Sequence, residues 1–99
     1  MMLSALALLL AAQDGEAALR ARVAAQPPAV RRYVARRAMC NHWGGEEPYD
    51  AHRRREIVRA IRALRCARID RDEAALRRRY ARRPAAIAVI DEAEDLLGW

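Results

Sequence analysis

The residues best suited to chemistry are gathered in one stretch, Cys40-Asn41-His42-Trp43-Gly44-Gly45-Glu46-Glu47-Pro48-Tyr49-Asp50. It holds one of two cysteines, one of two histidines, one of two tryptophans and three of the thirteen acids. Cys40 beside His42 offers a nucleophile and a base. His42 with Glu46, Glu47 or Asp50 offers a general acid/base pair. Both signals are weak. A catalytic Cys needs an orienting third group and an oxyanion site, and a two-residue separation rarely aims the side chains at each other. Cys40, His42, His52 and Cys66 together make a set that zinc could use, but Cys-x-His with a lone distal Cys matches no common finger. There is no Cys-x-x-Cys pair, no His-Glu-x-x-His and no Gly-rich phosphate cradle after a strand. The expectation is a non-catalytic protein with no assigned metal or cofactor.

Cys40 and Cys66 stand 26 residues apart. In an oxidising compartment an even cysteine count in a small domain reads as a disulfide. Closing that loop stabilises the fold by about 3.5 kcal/mol in the chain-entropy model. Such a bridge ties the end of a second helix to the end of a third. Two unpaired thiols or a metal pair are the alternatives.

The elements that position this stretch read as helices throughout. Residues 3–12 form an uncharged apolar run, too short for a bilayer, which needs about 20 residues. The run fits the apolar region of a secretory signal. Only Met1-Met2 precedes it, without a positive charge, and a cut after Ala12 leaves Leu10 where a small residue is usual. The alternative is an apolar first helix continuing through Ala25. The expected division is a signal peptide over residues 1–12 and one helical domain over residues 13–99.

Residues 14–26 predict a thin helix with Asp14 as N-cap and Leu19 and Val23 as its apolar pair. Pro27-Pro28 stops it and opens the next, over residues 29–40. There Val30, Tyr33, Val34, Ala38 and Cys40 share a face. Arg32, Arg36 and Met39 lie opposite, and Arg37 falls in the apolar arc, where it has to snorkel. Gly44-Gly45 breaks the helix, with freedom for positive φ or close backbone approach. A third helix starts at Pro48 or Tyr49 and runs to about Arg65. It carries an apolar stripe of Ile57, Ala60, Ile61 and Leu64 and an opposed basic face of Arg55, Arg59 and Arg62. Its continuation puts Cys66 on the basic face, so the helix ends earlier or that face is covered. Asp70 and Glu73 predict a partial capping box, with Ile69 as staple, for a fourth helix reaching about Arg82. Leu76 and Tyr80 are its anchors. A fifth helix from Pro84 to about Leu97 has Ala86, Val89, Ile90, Ala93, Leu96 and Leu97 on one face, four acids facing away, and Gly98 as its stop. The fold class is all-α: a small orthogonal or bundle-like array of four to five short helices.

The net charge is +6, and all nineteen basic residues are Arg. An Ala-rich chain without Lys reflects GC-rich codon usage in part, which discounts the charge as a nucleic-acid signal. Residues 53–83 hold thirteen Arg against four acids, while Asp91, Glu92, Glu94 and Asp95 make the end acidic. A basic middle and an acidic end can pair within the fold. A basic surface still favours anionic partners.

The run over residues 39–81 resembles an uncharacterised group of small secreted proteobacterial proteins. The shared pattern is Cys40-Asn41-His42-Trp43, then Gly45-Glu46-Glu47-Pro48-Tyr49-Asp50, then residues 53–57, then Cys66, and later residues 72–80. It covers a little under half of the chain. The resemblance implies export and a helical, disulfide-bearing fold, and supplies no activity or ligand. The signal-like start, paired cysteines, basic helix face and aromatic loop together lead to the expectation of a small periplasmic or secreted binding protein of the bacterial envelope. Its partner is another envelope protein or an anionic envelope polymer, with His42, Trp43, Glu46, Glu47, Tyr49 and Asp50 as recognition loop and Arg55, Arg59 and Arg62 as basic face. The runner-up is a cytoplasmic helical regulator that uses the Arg face on nucleic acid or a partner protein, although no helix-turn-helix signature favours nucleic acid.

Overall fold

Ala, Leu and Arg are among the strongest helix formers, and a chain built mostly from them folds as helix wherever Pro or Gly does not intervene. The structure is a computed structural model that describes residues 5–99, apart from the side chains of residues 10–13. Among the described residues there are five α-helices, one 3-10 turn and no strand. They are α1 (Ala5–Ala24), α2 (Pro28–Gly44), α3 (Ala51–Ala63), the 3-10 turn (Cys66–Arg68), α4 (Ile69–Arg79) and α5 (Pro84–Ala93).

The hub is α2, which contacts each of the other four helices. Its Val30, Tyr33, Val34, Ala38 and Cys40 are buried, the face read from the sequence. Leu19 and Val23 of α1 pack on them, with Ile69 of α4, Tyr80, and Val89 and Ile90 of α5. The largest fully buried side chains are Ile90, Val30, Val34 and Val89. Each stabilises the fold by about 1.5–3 kcal/mol when taken fully out of water.

Unlike the other helices, α3 contributes no side chain to the main buried cluster. Ile57 is its one buried residue, and the helix contacts chiefly α2 and the 3-10 turn. Two links hold its far end. The Cys40–Cys66 disulfide, with Cα atoms 5.7 Å apart, joins α2 to the 3-10 turn just beyond α3. Arg36 of α2 also donates from Nε to the Leu64 carbonyl at 2.6 Å and from Nη2 to the Arg65 carbonyl at 2.7 Å. Between those links Arg65 takes a left-handed conformation, φ 54°. Glycine usually closes a helix this way, and an L side chain there is disfavoured by roughly 1–2 kcal/mol.

Several expected boundaries move. The first helix does not begin at an Asp14 cap: α1 runs unbroken from Ala5, with Asp14, Gly15 and Glu16 exposed inside it. One Gly costs about 1 kcal/mol, too little to stop a helix of Ala and Leu. Residues 1–4 of the expected leader lie outside the described residues, and residues 5–12 are the first turns of α1. Leu6, Leu8 and Leu9 are exposed there. The Cα radius of gyration is 16.0 Å, above the roughly 13 Å of a compact domain this size. No described helix is long and apolar enough to cross a membrane.

At its other end α2 continues to Gly44, so Cys40 to Trp43 are helical. Gly45 caps it with φ −89°, and positive φ is not used. α3 starts at Ala51, after Pro48 and Tyr49, because the Asp50 carboxylate accepts from the Arg53 backbone N–H at 2.7 Å. It ends before Cys66, the first of the two options the spacing left open. The capping box at Asp70 and Glu73 is not formed: Arg68 is the N-cap residue, and both acids bond across to α2. α4 stops at Arg79 and α5 at Ala93. Leu97 therefore leaves the apolar face and is 76% exposed, while Gly98, φ 151°, lies beyond any helix it could stop.

Reduction of the disulfide is expected to lower stability by about 3.5 kcal/mol through the freed 26-residue separation. Because α3 buries one side chain, the loss should appear first as faster amide exchange there. Exchange in α3 that is unchanged by reductant, with an unchanged urea midpoint, would show that the bridge does not hold this helix.

Candidate functional site

The last two turns of α2 direct the motif residues to separate tasks. Cys40 enters the disulfide. Asn41 turns towards the end of α5, and its Nδ2 donates to the Glu94 carbonyl at 2.9 Å and the Leu96 carbonyl at 2.8 Å. These carbonyls follow the helix end, where backbone acceptors lack intrahelical donors. Asn41 thus anchors the chain end, a role the sequence did not disclose.

His42, Trp43 and Glu46 form a small cluster with Arg53 from the first turn of α3. The His42 and Trp43 rings meet edge-on at 5.4 Å. The Arg53 guanidinium lies over Trp43, 5.1 Å from the ring centre. Glu46 sits between His42 Nε2 at 3.4 Å and Arg53 Nη2 at 3.3 Å. Arg53 also pairs with Glu56 at 3.0 Å, and His52 meets the same carboxylate at 2.7 Å. Hydrogen bonds to Glu56 and then Glu46 raise the Arg53 pKa above its ordinary value. The cluster folds the segment after α2 back onto α3.

Of the expected recognition loop, the structure brings together His42, Trp43 and Glu46 and spends them on this junction. Asp50 is the cap of α3. Glu47 and Tyr49 remain outside, with Tyr49 80% exposed. Both thiols of the zinc set are joined to each other, and no group of three or more metal-ligating side chains occurs among the described residues. Cys40, as a disulfide sulfur, is no nucleophile for His42 to activate.

Arg55, Arg59 and Arg62 are exposed on α3, with Arg54 and a half-exposed Val58 beside them around a shallow depression of about 400 Å³. Among the described residues none of these four Arg has a carboxylate within ion-pair distance.

Two other Arg residues depart from expectation. Arg37 does not snorkel: it is 9% exposed and held at both ends. Its Nε donates to the Tyr33 hydroxyl at 3.0 Å, and Nη2 donates to Asp70 and to Glu73, each at 2.9 Å. Tyr33 donates in turn to Glu73, which also takes a hydrogen bond from Arg77 at 3.2 Å. Arg36, expected on the open face, spans from α2 to Asp72 of α4 at 2.8 Å. The acids at 70, 72 and 73 were the sequence signal. They read as a helix start because nothing local showed that α2 would supply their partners. The acids of α5 likewise do not all face away: Asp91 meets Arg77 at 2.7 Å and Glu92 is forked by Arg22.

The network sets its own titration. Burial, then the bond to Glu73, pushes the Tyr33 hydroxyl up to about 12. Burial alone would raise the Glu73 carboxyl, but donors from Tyr33, Arg77 and Arg37 outweigh it and hold the pKa below the usual value. The Asp72 carboxyl is likewise lowered, chiefly by its bond from Arg36. A tyrosine raised in the fold contributes stability that is complete below about pH 10, its unfolded value, and is lost towards 12. A lowered carboxylate contributes stability present above its unfolded value near 4.5 and lost as pH falls through the folded one. Ultraviolet titration should therefore show one tyrosine ionising near 12 that Tyr33→Phe removes. Glu73→Gln should flatten the acid limb of the stability curve below about pH 4.5. Equal acid limbs for Glu73→Gln and wild type would rule out the network as a source of pH dependence.

Comparison of the chain with protein-family models, curated proteins and solved structures finds no match.

Proposed function

We propose that this is a small exported binding protein of the bacterial cell envelope, without catalysis, which engages an anionic partner through the Arg face of α3. The observation that carries the reading is the contrast between two classes of Arg. Arg22, Arg36, Arg37, Arg53 and Arg77 are each paired with carboxylates inside the fold. Arg54, Arg55, Arg59 and Arg62 are exposed and, among the described residues, unpaired. Arg55 to Arg62 spans about 10 Å of helix, a line of like charge that an anionic polymer or the acidic face of an envelope protein can follow. Tyr49 and Glu47, in the segment leading into α3, stand as a secondary contact. Arg forks chelate phosphate and carboxylate groups well.

The disulfide supports an oxidising compartment, and the apolar start of the chain supports export. A cytoplasmic regulator that places the same stripe on nucleic acid is the competing reading, and the disulfide counts against it.

Anisotropy of labelled protein titrated with a phosphorylated bacterial polysaccharide tests the proposal. Replacing Arg55, Arg59 and Arg62 by Glu should weaken binding about tenfold or more, equivalent to 1.4 kcal/mol spread over three charges. Binding should also weaken with added salt. Equal binding by the triple variant would remove the stripe from the mechanism. Tighter binding to duplex DNA, together with uncut full-length chain in the cytoplasm, would favour the competing reading.

A further inference from the structure

A second surface lies along α2, and none of Arg54, Arg55, Arg59 and Arg62 lines it. Two depressions open between α2, the end of α3 and α4. The larger, about 630 Å³, is floored by Ala35, Met39, Ala63 and Leu64, with Arg65 and Arg68 on its rim. The smaller, about 310 Å³, is floored by Ala29, Tyr33 and Leu76, with Arg32 on its rim. Arg36 and Asp72 belong to both. Their ion pair, at 2.8 Å, forms a bar between two largely apolar sockets. The sockets are centred on α2 residues about one helical turn apart, roughly 5–6 Å.

The charge around the sockets is one-sided. Arg32, Arg65 and Arg68 are exposed, and among the described residues none has a carboxylate within ion-pair distance. Asp72 is the one acid in the groove, and Arg36 already holds it. Arg65 reaches the rim from a left-handed turn where Gly would be relaxed, and Arg36 fixes that turn through two carbonyls.

We infer that this groove is a docking site for an acidic amphipathic helix of a partner protein. Two sockets one turn apart accept apolar side chains spaced i, i+4, and acids flanking them on the partner helix meet the Arg rim. A uniformly charged polymer has nothing to place in the sockets, which separates this surface from the α3 stripe. The inference stands independently of the function proposed above and fails separately from it.

The probe is a fluorescein-labelled Glu/Ala-rich helical peptide bearing one Leu pair at i, i+4. Controls are its scramble, which breaks the spacing, and poly-glutamate of equal charge. Wild-type protein should bind the peptide at least tenfold more tightly than either control. Arg32→Glu with Arg68→Glu should weaken binding at least tenfold, and Ala35→Trp, which fills the larger socket, should do the same at unchanged charge. Arg55→Glu with Arg59→Glu should change it less than threefold. Thermal melts confirm that each variant folds. Equal binding of peptide and scramble, no binding at all, or an equal loss from the α3 variants overturns the inference. So does a dimer that sediments as such and dissolves in Ala35→Trp, since the groove would then be a self-association surface.

Discussion

Arg37 lies under α4 with its charge intact, and the rest of the helical array is arranged around that constraint. A buried guanidinium is tolerable only when its donors are met, and Tyr33, Asp70 and Glu73 meet them. α4 offers Ile69 as its one buried residue, too little apolar surface to fix its rotation on α2. The polar network does so instead. Replacing a buried ion pair by apolar side chains is often neutral for stability, whereas removing one partner alone leaves a buried charge unmet. By holding α4 on α2, the same network passes Arg77 to Asp91 and so reaches α5.

Where burial alone decided the outcome, the sequence was legible. Leu19 and Val23, the α2 face from Val30 to Cys40, and Val89 and Ile90 all follow helical periodicity, and all are buried. The cysteine pair was legible because an even count in a small domain reads as a disulfide, and Cys40 and Cys66 are joined. Side chains that serve a distant element were not legible. Asp70 and Glu73 make a plausible capping box until α2 outcompetes the local N–H groups for their oxygens. Arg36 looks like a solvent residue until its carbonyl acceptors at Leu64 and Arg65 exist.

The motif around Cys40 shows the same division. Its composition drew attention correctly, but the reason for each residue lay elsewhere in the fold. Asn41 faces α5, Trp43 lies under Arg53, and Asp50 starts α3. Concentrated polar and aromatic residues mark a crowded junction of elements as readily as a binding loop. Arg55, Arg59 and Arg62 lie exposed on α3, which ends before Cys66, one of the two outcomes the spacing left open.

Helix α1 packs against α2 and α5. Its described buried side chains are Leu19 and Val23, and its link to α5 is Arg22. All lie beyond Ala12. A peptidase that trimmed the chain near that residue would leave every one of these contacts in place. None of these named contacts depends on the first turns of α1.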